Sequence, residues 1–214
     1  MPDTTNKKKW NQYWRENVNK SVFFNTLVAL ARKYYFAKAF AKFIAGHYDV
    51  KGKTICEIGV GSGLTLSYLK KMGAAQCVGI DYSPEAIKFS SEQIKDCEFI
   101  IGDAFNLGRF GEKKFDLVYS LGFLEHYNKN EQKKLISEQK RLAKECVFIE
   151  VPYDIFYFRW LFALNKFFGR TLTFSDEEMF TPKTFQNLGL KGKSIPMRRT
   201  FYLTIGYFEN VCEK

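Results

Sequence analysis

Between residues 53 and 151 the chain alternates two hydrophobic patterns. Short apolar runs, Thr54–Ile58, Cys77–Ile80, Glu98–Ile101, Phe115–Tyr119 and Cys146–Val151, read as buried strands. Helix-length amphipathic stretches separate them. One runs from about Leu64 to Met72 and stops at Gly73. Another opens at Ser83-Pro84-Glu85, where Ser suits a cap, Pro the first helical position and Glu the positive end of the helix dipole. A charged helix is expected over about Asn130–Ala143. Strands alternating with helices predict a parallel sheet covered on both faces, and right-handed crossovers make it doubly wound.

The flanks depart from this alternation. Residues 18–47, rich in Ala, Phe and Leu, predict a helix with Gly46 as its stop. After Pro152 an aromatic-rich segment runs to about Phe180. A short helix from Thr181-Pro182 to Leu188 follows, then two strands near Ser194 and over Phe201–Phe208. The expected architecture is therefore α/β, with a mostly parallel seven-stranded sheet. A helical extension covers residues 1–49, the core 50–151, and a cap with the closing strands 152–214. A chain of 214 residues accommodates one such domain.

Chemistry concentrates where strands end. The stretch EIGVGSG, Glu57 to Gly63, places a carboxylate and three glycines at the end of the first strand. In a doubly wound sheet ligands bind beyond the carboxyl ends of the strands. Gly59 and Gly61 permit backbone angles closed to residues with Cβ and let a ligand approach the main chain; Gly63 permits tight packing at the helix start. A nicotinamide fingerprint GxGxxG would place its third Gly where Leu64 stands, and the Gly-Lys-Ser/Thr of a phosphate-binding loop is absent. Asp81 ends the second strand, 18 residues after Gly63, and can accept two hydrogen bonds from a ribose diol. Asp103 ends the third.

These motifs, in this order, resemble class I S-adenosylmethionine-dependent methyltransferases, whose first motif reads E/DxGxGxG. The resemblance is strong over about residues 50–150. It implies S-adenosyl-L-methionine as cofactor, held by Glu57, Gly59, Gly61, Gly63, Asp81 and Tyr82, with Asp103 accepting from the adenine amino group and Ala104 approaching the ring. It places Ser120 and Leu121 of FDLVYSLGFLEH along the methionine and sulfonium. No metal is expected. His126, just after the fourth strand, is the candidate general base, with Glu125 as rival and a packed turn residue as the alternative. His47 is read as a helix-end residue. Tyr13, in the aromatic stretch Trp10–Trp14, is a candidate lid residue or simple packing.

The position where an NPPY tetrad would hold a planar nitrogen reads SLGF. That points to an oxygen or carbon acceptor, or an amine of another geometry, with a small or lipid-linked molecule as first choice. A tRNA or rRNA acceptor comes second, and a non-catalytic cofactor-binding module stands as a different class. Charge bears on this choice. Residues 1–50 carry nine Lys/Arg against three Asp/Glu, net +6; residues 51–151 carry fifteen against fourteen, net +1. Basic flanks suit an anionic partner or merely solubility. If Asp154 to Arg170 is one helix, Arg159, Lys166 and Arg170 share a stripe about 40° wide opposite an apolar arc. This segment is either core or an acceptor-side lid that rests weakly on an anionic membrane. Five scattered cysteines, without a CxxC pair, read as reduced thiols of a cytoplasmic protein, and the N-terminus lacks a signal-peptide apolar run.

Overall fold

The computed structural model describes residue 12 and residues 23–154, 178–197 and 204–211. Its elements are α1 (Phe23–His47), β1 (Thr54–Ile58), α2 (Leu64–Lys71), β2 (Gln76–Asp81), α3 (Pro84–Gln93), β3 (Glu98–Ile101) and β4 (Phe115–Leu121). A 3-10 turn (Leu124–His126), α4 (Lys129–Leu142), β5 (Ala143–Pro152), α5 (Pro182–Asn187), β6 (Lys193–Met197) and β7 (Thr204–Asn210) follow. The seven strands form one sheet in the order β3-β2-β1-β4-β5-β7-β6. Strands β1 to β5 pair in parallel, and β7 runs antiparallel to both β5 and β6.

Alternation along the strands divides the core between two faces. On one face Ile55, Leu117, Tyr119 and Phe148 pack against Ala41 and Ile44 of α1 and Leu66 and Leu69 of α2. On the other, Cys56, Val118, Val147 and Ile149 pack against Leu135 and Ile136 of α4. The strand order reverses between β1 and β4, so a crevice opens beyond their carboxyl ends, where the glycine motif lies.

Local signals fix the helix starts. The Ser83 side chain accepts from the Ala86 N–H, with Pro84 at the first helical position of α3. Asn128 caps α4 in a capping box with Glu131. Helix α1 ends at His47, as expected, its buried positions Ala41 and Ile44 holding it onto α2. Expected strand boundaries move by a few residues. Strand β4 extends to Leu121, and β5 begins at Ala143, where its register with β4 shifts between Phe115 and Leu117. Trp10, Tyr13, Trp14 and the segment 155–170 lie outside the described residues.

Candidate active site

Gly59, Gly61 and Gly63 have φ of 72°, 49° and 68°. In this left-handed region a side chain is strained, so the GxGxG spacing has a backbone reason. The loop turns over the end of β2: the Gly59 and Val60 N–H groups both donate to the Ile80 carbonyl, at 2.8 and 3.1 Å. Asp81 completes the attachment. Its Oδ2 accepts from the Gly61 N–H and its Oδ1 from the Ser83 N–H, each at 3.0 Å. Burial pushes this carboxyl above its ordinary value, while the main-chain donors Ser83, Gly61 and Tyr82 pull it back. Three main-chain donors still leave the carboxylate acceptor capacity that a diol can use.

Two aromatic rings enclose the loop. A Cβ on Gly63 would lie 2.7 Å from Phe99 Cε1, and one on Gly59 would lie 2.5 Å from Phe123 Cδ2. The Phe123 ring fits against Gly59 only because that residue has no side chain. Asp103 stands two residues past β3 in a turn of its own, its Oδ1 accepting from the Phe105 N–H at 3.1 Å. Ala104 is half-buried beside it.

The sequence reading did not single out Tyr127, Phe123 or Phe105. The Tyr127 ring packs edge-on against Phe105 and Phe123, with centroids 5.3 and 5.1 Å away. Its phenol pKa is raised, first by burial and then by the charges of Tyr82, Asp81, Asp103 and Glu131. The sequence signal available was the aromatic spacing i, i+4 across the β4–α4 connection, which carries no chemistry by itself.

Two of the residues expected at the cofactor have side-chain partners within the protein. The Ser120 side chain is fully buried and exchanges hydrogen bonds with the Gln139 side-chain amide of α4, with Nε2 to Oγ at 3.2 Å. Only its main chain is left to face a ligand. Glu57 is 4% exposed, and its Oε2 accepts from the Tyr119 hydroxyl at 2.7 Å, so it backs the loop from inside the sheet. Burial pushes its carboxyl up to about 8. Leu121 is half-buried against the Tyr119 and Phe148 cluster.

His126 sits on the 3-10 turn just beyond β4, its Nε2 4.0 Å from Glu125 Oε1. Glu125 is buried, and its carbonyl accepts from the Glu178 N–H at 3.2 Å. His47 donates from Nδ1 to the Phe43 carbonyl at 2.8 Å and stacks on Phe208, an arrangement that closes the end of α1. No group of three or more His, Cys, Asp or Glu able to hold a metal occurs among the described residues. Nor is any described helix long and apolar enough to cross a membrane.

Comparison with known proteins points the same way: a family described as a methyltransferase domain matches residues 56–148, from β1 into β5. Over these residues the core is similar to class I S-adenosylmethionine-dependent methyltransferases. The chain is 35% identical over 99 residues to norajmaline N-methyltransferase of Rauvolfia serpentina, covering 44% of this chain and 33% of that protein. It is 33% identical over 66 residues to the ribosomal protein L11 methyltransferase of Deinococcus radiodurans, covering 31% and 24%. These matches thus span between a quarter and a third of those relatives. In fold, magnesium protoporphyrin IX methyltransferase from Synechocystis PCC 6803 with bound SAH aligns with a TM-score of 0.71 at 18% identity, over 98% of this chain and 97% of that one.

Proposed function

We propose that this chain is a methyltransferase acting on a small or lipid-linked acceptor, at oxygen or carbon, with S-adenosyl-L-methionine as donor. The observation that carries the cofactor reading is the Asp81 carboxylate, bonded to the Gly61 N–H beside three left-handed glycines. Bare main chain next to a carboxylate with spare lone pairs suits a nucleoside diol. Tyr127, packed against Phe105 and against the Phe123 ring that covers Gly59, suits the flat side of its base. When bound, the cofactor supplies an electrophilic methyl group on a sulfonium.

The chain's task is then placement, since in-line displacement gains most from orientation. His126 lies beyond the carboxyl end of β4 beside Glu125. A carboxylate there stabilises an imidazolium, so we assign His126 the proton released by a hydroxyl acceptor. The acceptor class draws support from the norajmaline and magnesium protoporphyrin IX enzymes, whose names specify small molecules. The second reading, an RNA acceptor, has the net charge of +6 over residues 1–50 in its favour.

The test is incubation with methyl-labelled cofactor and an extract of a host lacking the gene, fractionated into metabolites, lipids, RNA and protein. Label in the metabolite or lipid fraction is expected. Label confined to RNA would install the second reading. Label in no fraction, with the cofactor bound, would favour a non-catalytic module.

A further inference from the structure

The parallel register of β2 and β3 pairs Val78 with Glu98 and Gly79 with Phe99. One step earlier it brings Cys77 beside Cys97. Neighbouring strands lie about 4.8 Å apart, inside the Cα separation that a disulfide spans. Both thiols belong to the same apolar cluster on one face of the sheet. Cys77 is buried, whereas Cys97 is half-buried and reachable from solvent. Lys70 donates from Nζ to the Ala75 carbonyl at 2.7 Å, two residues before Cys77, and Asp96 Oδ1 lies 3.9 Å from Cys97 Sγ. The other two described cysteines, Cys56 and Cys146, sit buried on β1 and β5.

We propose that Cys77 and Cys97 form a redox-active dithiol that closes reversibly to a disulfide between β2 and β3, with glutathione disulfide as the class of oxidant. In the first step the accessible Cys97 sulfur, once deprotonated, attacks one sulfur of glutathione disulfide and releases one glutathione. Cys77 then attacks the Cys97 sulfur of that mixed disulfide, which forms the Cys77–Cys97 bond and releases the second glutathione. The protein loses two electrons and two protons, and both appear as two glutathione thiols. An accessible thiol to receive the oxidant and a buried neighbour to resolve it are what such an exchange requires.

The bond would act on the glycine loop through one ring. Side chains at 97 and 99 share a face, as do those at 77, 79 and 81. The Phe99 ring fills the space above both Gly63 and Gly79, within 2.7 and 2.8 Å of a Cβ placed there. Pulling the start of β3 against β2 therefore pushes Phe99 towards Gly63. Only this consequence rests on the proposed cofactor site; the bond itself does not.

The experiment equilibrates the full chain in glutathione buffers from fully reduced to fully oxidised, then counts free thiols and maps the linked peptides. Loss of two thiols, with residues 77 and 97 joined and released again by reduced glutathione, is the expected result. An unchanged thiol count, a lasting glutathione adduct on Cys97, or a link between other cysteines would overturn the proposal. Cys97→Ser, at a half-exposed position, should fold and form no link. Hydrogen exchange across residues 59–66 should differ between the reduced and oxidised chain and not in Cys97→Ser. Equal exchange would remove the coupling to the loop while leaving the dithiol in place.

Discussion

Asp81→Ala should weaken binding of S-adenosylmethionine by roughly 30- to 1,000-fold, the effect of losing about 2–4 kcal/mol of charge-assisted hydrogen bonding. The structure adds a cost that does not depend on ligand. The carboxylate holds the Gly61 and Ser83 N–H groups, both at 3.0 Å. Leaving two main-chain donors without it should lower stability by about 1–3 kcal/mol each where they stay dry. Asp81→Asn separates the two effects, because its carbonyl oxygen still accepts from one of these donors. Asp103→Ala is expected to cost less affinity than Asp81→Ala, since only its own turn, closed on the Phe105 N–H, depends on it in the chain. Calorimetric titration and urea midpoints on the same variants measure both quantities. An Asp81→Ala chain that binds as tightly as the wild type would remove the ribose assignment.

Stability should fall as pH rises from about 4.5 to about 8, and Glu57 should be the main cause. Its folded-state carboxyl titrates near 8 against an ordinary value of 4.5, chiefly because burial disfavours the anion, with the Tyr119 hydroxyl partly opposing. The raised value means that the folded chain binds the proton more tightly than the unfolded one. Its contribution is fully present below about 4.5 and is lost as pH climbs through about 8. The slope is at most about 1.4 kcal/mol per pH unit. Asp81 is shifted in the same direction. The carboxyls of Asp116, Glu138 and Glu145 are shifted downward, and their windows lie below their ordinary values, outside this range. Glu57→Gln keeps an acceptor for Tyr119 and removes the titration. Urea midpoints at about pH 5 and about pH 8 should therefore converge in Glu57→Gln and diverge in the wild type. Parallel behaviour of the two proteins would contradict the buried neutral acid.

Much of this could be read from the chain because the informative signals were local. Glycine spacing, Ser83-Pro84 and the apolar runs report on their own few residues, and the strands lie within a few positions of where periodicity put them. Asp81 was legible for the same reason: it follows an apolar run directly. Ser120 was not. Every position of β4 from Phe115 to Ser120 is buried, so the strand carries no polar alternation to show which face each side chain takes. The face was settled by Gln139 on α4, nineteen residues away. Tyr127 and Phe123 lie between elements, where no period constrains them, and their place beside the glycine loop comes from packing alone. The Cys77–Cys97 pairing depends on the register of two parallel strands joined by a helix, which no local pattern encodes.

The central claim is that the β1 glycine loop and Asp81 hold a nucleoside cofactor of the S-adenosylmethionine type. Its most direct test is calorimetric titration of the full wild-type chain with S-adenosylhomocysteine, alongside the Gly61→Val variant and with NAD as a control ligand. The account predicts one site per chain for S-adenosylhomocysteine, at least about tenfold weaker in Gly61→Val, and no binding of NAD. Equal affinity in a folded Gly61→Val chain, or binding of NAD in place of S-adenosylhomocysteine, would contradict it.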